Sequence, residues 1–445
     1  MPDIRSLLTP LMRWFMFAMV MANIAGSMYQ LLLPIYLTEL GASVVQVGLV
    51  FTLSSVVILI LQIFGGWISD SIGRLRAIAI GSVGGVIGFT LMLLANSWET
   101  MLFAIFVNQI PYALVGPSFG AFIAENSTDE TRGQVYGITD TIYQVTGVIG
   151  PPLGGVIAQL YGFKPMLLVA AIFYTTAAGL RIWMATTMRS PEESAHQKLS
   201  IKSFKSSLML MIGMVLSGGI VTWIFITDGV RDIAFRLSID LQPIYLEQIA
   251  GIPIIQIGLL GSIFSIGMMF TPILSGRIAD KYGERVPISL GFLMIFFAYL
   301  IFIQVSDFIG FAITWAIFGI SVGLLSPAYQ SLISKVVPHK NLGVFTGMFQ
   351  SSLGLISLPA PYIGAQLWER FNPRIPFIIT GILSLVAVIP AWFKFKLRMK
   401  SQPLVGHLLN LRAEVLKVIE NLISHSNRSG ESPRKYQSLP TWVTY

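Results

Sequence analysis

The first half of this chain returns, in register, in its second half. Pro34-Ile35-Tyr36-Leu37 reappears as Pro243-Ile244-Tyr245-Leu246 at an offset of 209. After one inserted residue the offset is 210, and it holds over a long stretch. Gln46 and Gly48 map onto Gln256 and Gly258, Gly133 and Gly137 onto Gly343 and Gly347, and Pro151 and Gly154 onto Pro361 and Gly364. A chain built this way folds as two copies of one unit, so each feature of one half has a counterpart to look for in the other.

The nature of the unit follows from composition. The chain is 54% hydrophobic and 11% charged, with a mean hydropathy of +0.74, far from a soluble balance. Runs of about twenty apolar residues, enough to cross a bilayer, recur twelve times: near 11–37, 44–68, 77–96, 100–124, 135–160, 165–188, 216–246, 253–276, 286–305, 308–333, 343–368 and 375–397. The expected fold is an all-α membrane protein, twelve spans in two six-helix pseudo-symmetric halves, 1–188 and 208–400. A charged linker, 189–207, joins them. In a chain this apolar, such halves point to a carrier that rocks one half against the other around a central site.

The charges give an orientation. With both termini in the cytoplasm, 23 of the 29 Lys and Arg fall on the cytoplasmic side and 3 on the other. This asymmetry follows the positive-inside rule and accounts for the net +8 without nucleic acid. The tail, 401–445, carries apolar residues from Leu404 to Ile423 at three- and four-residue steps, the pattern of an amphipathic helix on the membrane surface. No cysteine is present, which excludes disulfides and thiolate metal sites. No cleavable leader is recognisable, so the first span is expected to remain as an anchor. The four histidines (His196, His339, His407, His425) fall in cytoplasmic segments. A histidine relay or metal site in the bundle is therefore not expected, nor is a cofactor.

Two cytoplasmic turns carry the most specific motif. Gly66-Trp67-Ile68-Ser69-Asp70-Ser71-Ile72-Gly73-Arg74 joins spans 2 and 3, and Gly276-Arg277-Ile278-Ala279-Asp280-Lys281-Tyr282-Gly283-Glu284-Arg285 joins spans 8 and 9. Both resemble the signature of the major facilitator superfamily, Gly-x-x-x-Asp-(Arg/Lys)-x-Gly-Arg-(Arg/Lys). They depart from it at Ser71, Leu75 and Glu284. The resemblance covers about residues 10 to 397 and implies that fold and a gating latch. In such a latch Asp70 would sit near the positive N-terminal end of a helix in the other half, span 11 near Gly343. The repeat adds a contact of its own. Arg74 corresponds to Glu284 and Glu125 to Lys335, so both members change sign together, and Arg74 is expected to pair with Glu125 and Glu284 with Lys335.

Span 5 reads Gly150-Pro151-Pro152-Leu153-Gly154-Gly155, with Gly137 and Gly147 before it. It resembles the superfamily's antiporter motif, associated with proton-coupled drug exporters, at Gly137, Gly150, Pro151, Gly154 and Gly155; Thr146 replaces one glycine. Small residues there allow close helix crossing, and the proline a bend. Span 4 lacks the arginine of the related proton relay, because Phe106 stands at that position.

Span 7 carries the densest charge. Asp228, Asp232, Arg236 and Asp240 fall at four-residue steps on one helix face, with Arg231 adjacent. Charges at this depth cost at least a few kcal/mol each and must face water or one another. In the repeat Asp232 and Arg236 correspond to Asn23 and Ser27 of span 1, again four apart and polar, and Asp140 and Gln144 form a polar step on span 5. The expected function is a secondary transporter of small organic solutes, proton-coupled and exporting drug-like or amphipathic compounds, acting as a monomer in the cell membrane. A carrier of anionic metabolites using Arg231 and Arg236 is the competing variant. A membrane receptor or intramembrane enzyme is the alternative class, for which no nucleophile–base constellation is found. The absence of a phosphate-binding loop leaves an ion or substrate gradient as the energy source.

Overall fold

A computed structural model describes residues 8–128, 131–187, 215, 218–337 and 342–396. The linker and the tail, including its amphipathic stretch, lie outside the described residues, as does His339. The twelve spans run in two matching halves. The first half holds Pro10–Gln30 continued by Leu33–Glu39 (span 1), Val44–Ile72 (2), Arg74–Leu94 (3), Trp98–Glu125 (4), Arg132–Tyr161 (5) and Phe163–Thr187 (6). The second holds Ile220–Ser238 (7), Ile254–Tyr282 (8), Arg285–Phe302 (9), Phe308–Val336 (10), Leu342–Ser357 continued by Ala360–Arg370 (11), and Ile375–Lys394 (12).

Packing repeats with the sequence. Span 4 lies against spans 2 and 3 as span 10 lies against 8 and 9, and span 6 lies against 1 and 3 as span 12 lies against 7 and 9. The halves meet along two seams, span 5 with 8 and span 2 with 11.

The repeated Pro-Ile-Tyr-Leu interrupts spans 1 and 7 at the same height. A proline early in a helical segment cannot continue a preceding hydrogen-bond ladder. Span 1 accordingly breaks at Leu31–Leu32, and span 7 ends at Ser238 and passes through a 3₁₀ turn, Ile239–Leu241, into short helical turns reaching Ile249. The expected single span over 216–246 is thus two pieces, and Asp240 sits in the turn beyond the regular helix. Span 11 breaks at Pro359, where the repeat has Ile149; span 5 stays continuous through Pro151 and Pro152.

Nine of the described helices are long and apolar enough to cross a membrane. Spans 5, 7 and 11 are the other three. Spans 5 and 7 carry polar and charged residues and span 11 is split. The same three helices line the seams and the centre, where polarity has protein rather than lipid beside it.

Gly73 and Gly283 take φ of +94° and +84° at the turns of the two signature motifs. Only glycine adopts this backbone readily, which explains why the motif ends on it. We refer to this end of the bundle as the motif end.

Candidate functional site

The far end, opposite the motif turns, is clamped by contacts that obey the repeat. Pro361 O would lie 2.6 Å from a Cβ added at Gly48, and Pro151 O 2.5 Å from one at Gly258. These are the same contact made once at each seam. Just beyond, the Val45 N–H donates to the Glu369 side chain (3.0 Å) and the Ile255 N–H to Gln159 (2.8 Å). Each bond caps the exposed N-terminus of a helix in one half with a side chain from the other half. Glu369 adds a negative charge at the positive end of span 2. Sequence reasoning missed this clamp, although Gln159 and Glu369 are related by the same offset of 210. Gln248 also bonds Thr38 across the halves (3.1 Å).

At the motif end, the Asp70 and Gly66 side positions lie outside what is described. At the second motif turn Asp280 is exposed, and neither Gly276 nor Gly133 has a neighbour within reach of an added Cβ. Arg74 pairs with Glu125 at 3.1 Å, and Lys335 pairs with Glu284. Both pairs lie within a half, so they brace the turn rather than bolt the halves together. Arg74 also reaches Ser69 (2.9 Å), which Ser118 holds from span 4 (2.7 Å), and Ser331 donates to Glu284 (2.9 Å). Burial raises the Glu284 pKa, but the bonds from Lys335, its own backbone and Ser331 outweigh it and hold the carboxyl below its ordinary 4.5. Its stabilising contribution is therefore complete above that value and is lost as pH falls below it, through the lowered folded-state value.

These pairs give a charge-swap test. Arg74→Glu faces Glu125 with a like charge, and transport is expected to fall. Adding Glu125→Lys should restore a substantial part, because the second half already carries that arrangement. Transport by the double variant no better than by Arg74→Glu alone, with both inserted normally, rules the brace out.

The charges of span 7 are locally neutralised. Arg231 Nη2 lies 2.7 Å from Asp228 Oδ1 and 5.4 Å from the centre of the Tyr329 ring. Arg236 Nε donates to Asp232 Oδ2 (3.0 Å), and the Ser357 hydroxyl of span 11 donates to the same oxygen. Arg236 Nη1 reaches across the seam to Ser55 Oγ of span 2 (3.3 Å). Asp240 is half-buried beyond the helix break. Asp232 and Arg236 thus face the seam of spans 2, 7 and 11, whereas Asp228 is held by Arg231, which lines the central void.

That void has two compartments. One, of about 320 Å³, is lined by Phe235, Phe264, Trp315, Phe318 and Tyr299, with Arg231 and Gln242. The other, of about 330 Å³, lies within the first half among Asn23, Asn108, Tyr112, Tyr143, Tyr174 and Arg181. Ser27, Gln30 and Gly147 line both, so the compartments adjoin. Asn23 and Ser27 are thus in the void. Asp140 is exposed and Gln144 half-buried, and neither lines either compartment.

The antiporter-like glycines divide by position. A Cβ at Gly154 would meet Met28 O at 1.9 Å, and one at Gly364 would meet Leu237 O at 1.9 Å, again equivalent contacts. Gly150 packs on Ser27 and Gly155 on Ile254, while Gly137 has nothing within 4 Å. Four of the five matching positions therefore sit where span 5 crosses a neighbour, Pro151 among them through its contact with Gly258.

Sequence reasoning also passed over Arg181. It is 6% exposed on span 6, and its i±3 and i±4 neighbours are Ala177, Ala178, Met184 and Ala185. An arginine inside an apolar span with no acidic residue at helical spacing was the available signal.

The Major Facilitator Superfamily profile matches residues 15–239 and 232–417. A multidrug resistance efflux pump PmrA homolog of Lactococcus lactis subsp. lactis is 24% identical over 391 residues, covering 83% of this chain and 92% of that protein. The multidrug resistance protein MdtG of Escherichia fergusonii is 23% identical over 401 residues, covering 85% and 93%. Among solved structures, a variant of the nucleoside transporter NupG superposes with a TM-score of 0.70 at 15% identity, covering 87% of this chain and 100% of that one. A peptide transporter in complex with alafosfalin gives 0.68 at 15%, covering 85% and 93%.

Proposed function

This chain belongs to the major facilitator superfamily and is a membrane transporter, and from that premise we propose that it exports drug-like, amphipathic compounds in exchange for protons. The observation that carries the reading is the two-compartment void between duplicated halves. Its walls are mostly aromatic and aliphatic with a few convergent polar groups, and its size suits a small organic solute. The efflux pumps named above support the same substrate class. In this reading the motif end faces the cytoplasm of a cell membrane with both termini, which the distribution of basic residues supports. With the far end clamped and Asp280 exposed at the second motif turn, the conformation is the one open to the cytoplasm. The protein works as a monomer of two rocking domains, 1–188 and 208–400. The gating role belongs to the motif turns and their braces.

Asp232 carries the coupling proton in this reading, because its partner Arg236 also bonds the other half. The variant in which Arg231 and Arg236 clamp an anion is less favoured, because both are already paired, with Asp228 and Asp232.

Purified protein in proteoliposomes, given a panel of lipophilic cations, neutral dyes and amphipathic carboxylates, is expected to accumulate at least one of them when a pH gradient is imposed and not when it is collapsed. Transport indifferent to the gradient across the panel would overturn proton coupling. A reporter enzyme active only outside the cytoplasm, fused after Ser401, is expected to be silent; activity there would reverse the orientation.

A further inference from the structure

We propose that Arg181 forms an anion-accepting subsite in the first-half compartment, which takes the carboxylate of an amphipathic organic substrate. It rests on the reading of the void as the place where substrate binds.

The guanidinium lines the compartment at 6% exposure. Nη1 donates to Ser82 Oγ at 3.1 Å, and Nε is buried without a hydrogen-bond partner. Among the described residues no carboxylate pairs with it. The contrast within the protein is direct: the bundle's other central arginines, Arg231 and Arg236, each have an aspartate one helical turn away. Arginine keeps its charge in any protein environment. A buried cation with donors left over lacks its counter-charge, and a planar carboxylate is the group whose two oxygens match a guanidinium edge.

The surroundings specify the rest of the ligand. Tyr143 and Tyr174 line the same compartment as Arg181, adding neutral polar groups and no competing charge. Phe89 and Phe119 line the same compartment and offer an apolar wall to an aromatic body. The adjoining compartment, with Trp315 and Phe264, accepts the remainder of a longer molecule. A substrate with a carboxylate at one end and a ring system at the other spans both.

The test uses the intact protein in nanodiscs and a matched probe pair, naphthalene-1-acetate and its neutral amide, with binding measured by calorimetry at fixed pH. Wild type is expected to favour the carboxylate at least tenfold. Arg181→Gln should bind the two alike, and Arg181→Lys should keep part of the preference. Melting temperatures without probe separate loss of the site from loss of the fold, and the lysine variant reports on the charge if the glutamine variant fails to fold. Equal affinity in wild type, no binding of the carboxylate, or a preference unchanged in Arg181→Gln or Arg181→Lys overturns the proposal. So does displacement of the carboxylate by chloride at physiological concentration with the same dependence on Arg181, which would give the site to an inorganic ion. If the amide binds as well as the carboxylate, the anionic subsite fails while the void as a binding site stands.

Discussion

Replacing Asp232 by Asn is expected to leave substrate binding intact and to reduce accumulation to the level seen without a pH gradient. The reason is the position of Arg236, which shares its donors between Asp232 on its own helix and Ser55 of the opposite half. A charged Asp232 holds the guanidinium on span 7, together with the Ser357 hydroxyl of span 11. Neutralising it weakens that hold and leaves Arg236 to its link across the seam. Protonation and the contact between halves are thereby connected, as exchange requires. The Asn variant is locked in the neutral state and has lost the switch. Arg236→Gln should alter the pH dependence of transport for neutral or cationic substrates, and weaken binding itself for an anionic one. Measured in proteoliposomes beside a binding assay on the same preparation, Asp232→Asn accumulating substrate as wild type does would reduce span 7 to a structural ladder. Asp140 of span 5 would then be the next carboxylate to examine.

Gly154→Ala is expected to be severely destabilising, although alanine favours a helix by about 1 kcal/mol over glycine. The added methyl would sit 1.9 Å from the backbone oxygen of Met28, and a backbone atom cannot swing aside as a side chain can. Spans 1 and 5 would have to separate, with an overpacking penalty of about 1–3 kcal/mol or more. Gly364→Ala should do the same to spans 7 and 11. Gly137→Ala, with nothing within 4 Å, should fold and melt as wild type. Thermal unfolding of the purified variants checks all three, and a Gly154→Ala protein that melts with wild type would mean the two helices do not cross this closely.

The pairing of Arg74 with Glu125 was legible because sign reversal at equivalent positions is information carried by sequence alone. The two glycine turns were legible too, since a positive φ restricts the residue at that point of the chain. The charges of span 7 and the polar step of span 5 were legible in the sequence, but not what each polar face meets. Helical spacing places Asp228, Asp232 and Arg236 on one face, and that face could have bordered the void or a seam. Packing put Asp232 and Arg236 on the seam and left Asp228 to Arg231, which lines the void. Gln159 and Glu369 looked like ordinary polar ends of helices, because the amides they cap belong to helices distant in sequence.

The sequence by itself determined the twelve spans, their division into two equivalent halves and the asymmetry of their charge, since hydropathy, repetition and composition act locally along the chain. Only the tertiary structure decided which charges are satisfied. Arg231 and Arg236 find their aspartates one turn away on the same helix, a distance that sequence can state. The buried guanidinium of Arg181 has a serine from span 3 and a void in front of it, and which groups surround a buried charge is set by how helices pack.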